Sequence, residues 1–219
     1  YEEAMSLLDG HIFHPWEGGE GKVPAQYQYA RVEKAKEMLN TPDSASEKAI
    51  ALLEECLIYP HHLGEGKLHG AQENDFYYFL GCAYEKLGNM ECARECWEKA
   101  TSGPTEPVAA MYYNDAKPEK IFYQGLALQK LGRTDEANGR FYKLVNYGKQ
   151  HIFEPQVMDY FAVSLPDLQI WDGDLNEKNR IHCLFMLALG YTGLSDTKRA
   201  QHYMGEVAKL DVNHQGVQA

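Results

Sequence analysis

The residues best equipped for chemistry stand in loops. His14, Trp16, Glu17 and Glu20 lie close together in sequence, His61 and His62 are adjacent, and His182 stands far downstream. A tryptophan face beside carboxylates is an arrangement that glycoside hydrolysis uses, with two carboxyl groups about 5–10 Å apart. Sequence does not set that distance. There is no nucleophile elbow and no HExxH. A lone His or Glu in a loop is ordinarily solvated or capping a helix. These residues therefore read either as part of a composite site completed by another domain or as plain connectors. Catalysis by this chain alone is not expected.

Two loops share a tetrapeptide, Gly19-Glu20-Gly21-Lys22 and Gly64-Glu65-Gly66-Lys67. One reading is a polar recognition edge. Glycine N–H groups with Lys22 or Lys67 would meet an anion or a hydroxylated ligand, with His14, Trp16, Glu17 and His61 around them. The other is a connector whose Glu and Lys satisfy neighbouring helix ends. Neither loop has the GxxxxGK[ST] form of a nucleotide-binding loop. Asp172, Asp174 and Asn176 alternate like the start of a calcium loop, but the required Gly and distal Glu do not follow. Cys92 and Cys96 are one helical turn apart, with no CxxC and no well-spaced histidine pair. No metal or cofactor is expected. Buried free thiols fit a reducing compartment, hence a cytoplasmic location.

The elements that position these loops follow from a repeat. Ala49, Ala93 and Ala137 stand 44 residues apart, each followed four residues later by Leu53, Trp97 or Phe141. Residues i and i+4 share a helix face, so each pair marks an inward face. A fixed period signals stacked units with one continuous core. The second unit reads Leu80-Gly81, Tyr84, Leu87-Gly88, Ala93, Trp97, Ala100. The third reads Gly125, Leu128, Leu131-Gly132, Ala137, Phe141, Leu144. A looser fourth reads Leu184, Ala188, Tyr191, Leu194, Ala200, Met204, Val207. The first is weakest, with helices expected near 26–39 and 46–58. Gly81 and Ala93 would let two helices approach, Tyr84 and Trp97 would fill the space beside them, and Gly88 would end the first helix left-handed.

This pattern resembles the tetratricopeptide repeat. The resemblance implies an all-α fold, a right-handed superhelix of about four helical hairpins with long inter-repeat loops. The units fall at about 24–58, 74–101, 117–149 and 179–211, in one domain spanning 1–219. The segment 151–178 is an insertion in which 155–163 could add a helix. In such a superhelix the first helix of each pair lines a concave groove. The groove-facing positions would be Tyr27, Tyr78, Phe122 and Phe185, a ladder for an extended peptide or sugar rings. Asp75, Glu119 and His182 take a second groove position, with Arg31, Glu85 and Gln129 nearby. The alternative is that these aromatics pack between units. The chaperone-binding clamp of this family needs Lys, Asn and Arg where this chain has Tyr27, Arg31, Phe79, Glu119 and Tyr123, so a chaperone C-terminus is not the expected ligand.

The loop segments carry a second resemblance. Phe13-His14-Pro15-Trp16-Glu17-Gly18-Gly19-Glu20-Gly21-Lys22, the stretch from Leu63 to Asp75, and Tyr160-Phe161-Ala162-Val163-Ser164-Leu165-Pro166-Asp167 through Asn179-Arg180-Ile181-His182-Cys183 look like the C-terminal repeat region of large bacterial proteins. Those carry an upstream domain of unknown function linked to carbohydrate metabolism. The resemblance implies a module of a longer protein and transfers no catalytic residue.

Charge and hydropathy narrow the partners. The chain has 219 residues and a net charge of −11, with no Lys/Arg cluster. Nucleic acid needs a basic surface, and anionic membranes repel this one. No apolar run reaches the ~20 residues of a membrane span. The expectation is a non-catalytic protein–protein or domain–domain scaffold. Its partner would be a protein, a peptide or another domain of its parent chain. The alternative is a module completing an upstream sugar-binding or active site. An exposed aromatic ladder would also serve as a homodimer interface.

Overall fold

The computed structural model describes residues 1–15, 19–41, 45–109, 115–157 and 174–218. Ten α-helices are assigned among them, and no strand. They are α1 (Glu2–Asp9), α2 (Lys22–Asn40), α3 (Ser46–Glu55), α4 (Asn74–Lys86), α5 (Met90–Ala100), α6 (Pro118–Lys130), α7 (Thr134–His151), α8 (Leu175–Gly193), α9 (Thr197–Leu210) and α10 (Gln215–Gln218). The protein is thus all-α. It divides into two compact units, Tyr1–Gly103 and Pro104–Ala219.

In the first unit α2 packs on α3, α3 on α4 and α4 on α5, with α1 laid on α2. In the second, α6 packs on α7, α7 on α8 and α8 on α9. The hairpins α2/α3, α4/α5, α6/α7 and α8/α9 match the expected pairs. Three boundaries differ by three or more residues: α2 begins at Lys22 rather than near 26, α3 ends at Glu55 rather than 58, and α8 begins at Leu175 rather than near 179. Helices α1 and α10 lie outside the expected hairpins. Most of the extra helix expected over 155–163 falls outside the described residues, and 155–157 are not helical.

Small residues set the hairpin spacing. Ala49, Ala93 and Ala137 are fully buried, as are Leu53 and Phe141, while Trp97 is 1% exposed. A methyl group added to Gly81 would overlap the Trp97 indole, and one on Gly125 would overlap the Phe141 ring. Gly193 of α8 approaches that same ring from the next hairpin. A methyl group on Gly148 of α7 would stand 2.7 Å from the Cys183 carbonyl oxygen of α8. Each large ring therefore fills space that only a missing side chain leaves open. Interiors are packed too tightly for such a neighbour to shift freely.

Three hairpin turns share one closure. Leu87-Gly88, Leu131-Gly132 and Leu194-Ser195 each end the first helix. Gly88 and Gly132 both have φ 78°, and Ser195 has φ 61°. The next N–H then reaches back to a helix carbonyl: Asn89 to Tyr84 at 3.0 Å, Arg133 to Leu128 at 2.9 Å, Asp196 to Tyr191 at 2.9 Å. This satisfies carbonyls that a helix end otherwise orphans. Asn89 and Asp196 also start the second helix, accepting from the N–H of Cys92 and Arg199.

Ser195 takes the left-handed place without glycine's freedom, which costs an L-residue about 1–2 kcal/mol. Ser195→Gly is expected to raise stability by about 1 kcal/mol in urea unfolding. Gly81→Ala is expected to lower it by about 1–3 kcal/mol, because overlap with the indole outweighs alanine's better helix propensity. Unchanged stability would mean that the indole moves aside at no cost.

Candidate functional site

In the first unit Tyr27 and Arg31 lie on α2, one turn apart, and both are buried. The Arg31 guanidinium carbon sits 3.5 Å from the centre of the Tyr27 ring. Its Nε donates to Glu55 of α3 at 2.7 Å. One terminal nitrogen donates to both oxygens of Asp9 of α1, at 2.7 and 2.8 Å. Burial opposes the guanidinium's charge, but the bonds to Glu55 and Asp9 overcome it and leave its pKa above the ordinary value. Lys34 pairs with Glu2 of α1 at 2.7 Å. Leu8 of α1 is buried with Tyr27 and Leu63, with Phe13 and Val23 against them.

On α4 the residues Asp75, Tyr78, Cys82 and Glu85 fall at helical spacing along one face, and all four are half-buried. The Tyr78 ring meets Phe79 edge-on at 5.2 Å. Burial raises the Tyr78 pKa, with the Cys82 thiol and Glu85 adding to the effect. Its hydroxyl is therefore neutral at physiological pH.

In the second unit three expected residues come together around α8. His182 is buried and its Nε2 hydrogen-bonds the Val108 carbonyl at 2.9 Å, which ties the segment before α6 to α8. Phe185, buried, meets the ring of His214 at 4.6 Å with the two planes inclined at 59°. The Nδ1 of His214 is buried without a hydrogen-bond partner. Glu119 acts electrostatically on both histidines. Phe122 is also interior, 6.0 Å from Phe141 and 5.4 Å from Tyr123. Three of the four expected groove aromatics, Tyr27, Phe122 and Phe185, are thus core residues, which is the packing alternative. Only Tyr78 keeps a half-exposed ring.

Several loop residues sit in intramolecular bonds. Gly21 N–H, at the start of α2, donates to Glu65 at 2.7 Å. The two Gly-Glu-Gly-Lys loops therefore meet, one closing the helix that the other begins. Lys67 pairs with Glu73 and also reaches the Leu57 carbonyl. Phe13 N–H donates to the His62 carbonyl at 2.7 Å. His14, Lys22 and His61 are exposed. Trp16 and Glu17 lie outside the described residues, as does Asp172. Asp174 accepts from the Asn176 N–H at 2.8 Å and caps α8. Among the described residues no three His, Cys, Asp or Glu side chains are placed to hold a metal ion.

Sequence reasoning missed a set of buried amides. Asn74 donates to the Ala100 and Ser102 carbonyls at 2.8 and 2.7 Å. Asn179 donates to the His151 carbonyl at 2.8 Å. Gln124, fully buried, donates to the Pro104 carbonyl at 2.9 Å and accepts from Arg140 at 3.1 Å. Each satisfies a helix end or the loop beside it. A polar residue within an apolar helix face was the available signal. His214 was missed because its closing segment follows the last hairpin.

The chain matches no family model, and no solved structure matches it.

Burial pulls the pKa of both His182 and His214 below the ordinary histidine value. The Val108 carbonyl, Glu119 and Asp115 at His182, and Glu119 and Asp211 at His214, pull the other way and lose. The unfolded chain takes up these protons near pH 6.5 while the folded one resists. Stability is therefore full above about pH 6.5 and falls as pH drops from there towards the lowered folded values. Thermal melts between pH 7.5 and 5.5 are expected to show this slope. A His182→Gln/His214→Gln variant is expected to flatten it.

Proposed function

We propose that the chain is a non-catalytic scaffold of tetratricopeptide type, hairpins wound in a right-handed superhelix, that holds another polypeptide or another domain of its parent chain. One observation carries this reading: the face of α4. Tyr78 is half-exposed where its three counterparts are interior. Asp75, Cys82 and Glu85 share its stripe, and half-exposed Tyr77, Phe79 and Tyr84 lie beside it. Amphipathic aromatic side chains are enriched at protein interfaces. The shared glycine-ring contacts and Leu-Gly or Leu-Ser turns support the repeat assignment. The five free thiols favour a reducing compartment. The capping roles of Glu65 and Lys67 favour the connector reading of the loops over a ligand edge.

The test is selection of random 12-residue peptides displayed on phage against the immobilised chain, followed by fluorescence anisotropy. Enriched peptides are expected to bind the wild type and to lose at least about tenfold with Tyr78→Ala, the scale of an interface anchor. Equal affinity for the two proteins, or no enrichment, would contradict the proposal.

A further inference from the structure

The seat that α1 occupies on α2 has the construction of a ligand site. Helix α1 has eight residues, too few to hold a helix in water without a partner. It packs on α2 outside the four hairpins. Leu8 is its one buried residue. Two ion pairs add to it, Asp9 on Arg31 and Glu2 on Lys34, and the Tyr1 ring just before α1 meets Tyr29 of α2 edge-on at 6.0 Å.

Arg31 also has partners outside α1: it is bonded to Glu55, lies over the Tyr27 ring and is 3.5 Å from the Tyr27 carbonyl oxygen. The nitrogen that Asp9 takes is thus already aimed. A guanidinium held this way loses little freedom on meeting a carboxylate. The apolar hole for Leu8 is lined by Tyr27, Leu63, Phe13 and Val23. Phe13 is pinned separately by its N–H bond to the His62 carbonyl. Only residues 10–12 join α1 to that pin, and Ile12 there is 76% exposed.

We propose that this face of α2 is a docking site for an acidic helical segment of another polypeptide, with α1 as its internal occupant. The ligand class is read from α1 itself. It is a helix carrying a leucine followed directly by an aspartate, and a glutamate about two turns earlier. The leucine fills the Tyr27–Leu63 hole, the aspartate meets Arg31 and the glutamate meets Lys34. The first unit carries 18 acidic and nine basic side chains, so it repels acidic partners at a distance. Screening limits that repulsion to about 8 Å at physiological salt, and two of its cations lie in this seat. Selectivity then rests on contact rather than steering. The inference rests on the scaffold reading but not on α4.

The test uses the whole chain and a fluorescein-labelled peptide with the sequence of residues 1–12. In the wild type, tethered α1 competes at a local concentration on the millimolar scale, so peptide binding is weak. A Glu2→Gln/Asp9→Asn chain keeps Arg31 and Lys34 but weakens the tethered helix. It is expected to bind the peptide at least about tenfold more tightly than the wild type does, the scale of one charge-assisted bond. A peptide with the same two substitutions is expected to bind neither chain. Equal binding to both chains, or equal binding of both peptides, would overturn the proposal. So would loss of helical circular dichroism well beyond the eight residues of α1 in the double variant, because α1 would then be part of the fold rather than its ligand. No variant of α4 is read, so failure here stands apart from failure at Tyr78.

Discussion

Gly125 of α6 and Gly193 of α8 approach the same ring, that of Phe141 on α7. One aromatic side chain thereby fixes the distance from α7 to the helix before it and to the helix after it. Trp97 against Gly81 sets the α4/α5 distance in the first unit. A large ring seated on a bare backbone gains dispersion contacts on both faces and leaves no void. Truncating such a ring costs about 3–5 kcal/mol. The second unit's core of Ile121, Phe122, Leu128, Leu144 and Leu184 is built around that seat.

Once helices are spaced this closely, their ends are buried and must be satisfied from within. The hairpin turns do this with left-handed residues, and the connectors do it with side chains. Asn74 and Asn179 reach the ends of neighbouring helices, Gln124 reaches the loop carbonyl of Pro104, and Glu65 reaches the start of α2. The glycine-rich loops, the most suggestive feature for chemistry, are bonded into this network. The same demand accounts for Arg31, whose buried charge is met by two carboxylates and an aromatic face.

The repeat was readable because close packing leaves a periodic trace. Ala49, Ala93 and Ala137 with their bulky partners predicted the helix pairs, and Leu-Gly predicted two of the turns. Ser195 escaped notice because a serine hides the left-handed position that Gly88 and Gly132 advertise. Helix α1 escaped because it belongs to no hairpin and forms only against α2. The groove was less readable still. An aromatic at a fixed repeat position can point into the core or out of it, and the same spacing gives interior Tyr27, Phe122 and Phe185 but half-exposed Tyr78. The neighbours decide: α1 and Leu63 cover Tyr27, and His214 covers Phe185.

Glycine and ring are complementary in this fold, rather than each being tolerated separately. A double-mutant cycle on Gly125→Ala and Phe141→Leu, read by urea unfolding, tests it most directly. If the ring occupies the space of the missing methyl, Gly125→Ala costs about 1–3 kcal/mol in the wild type. With Leu at 141 that cost falls by at least about 1 kcal/mol, a coupling expected only of residues in contact. Additive effects, agreeing within about 0.5 kcal/mol, would show that the two positions do not set one another's spacing and would contradict the account.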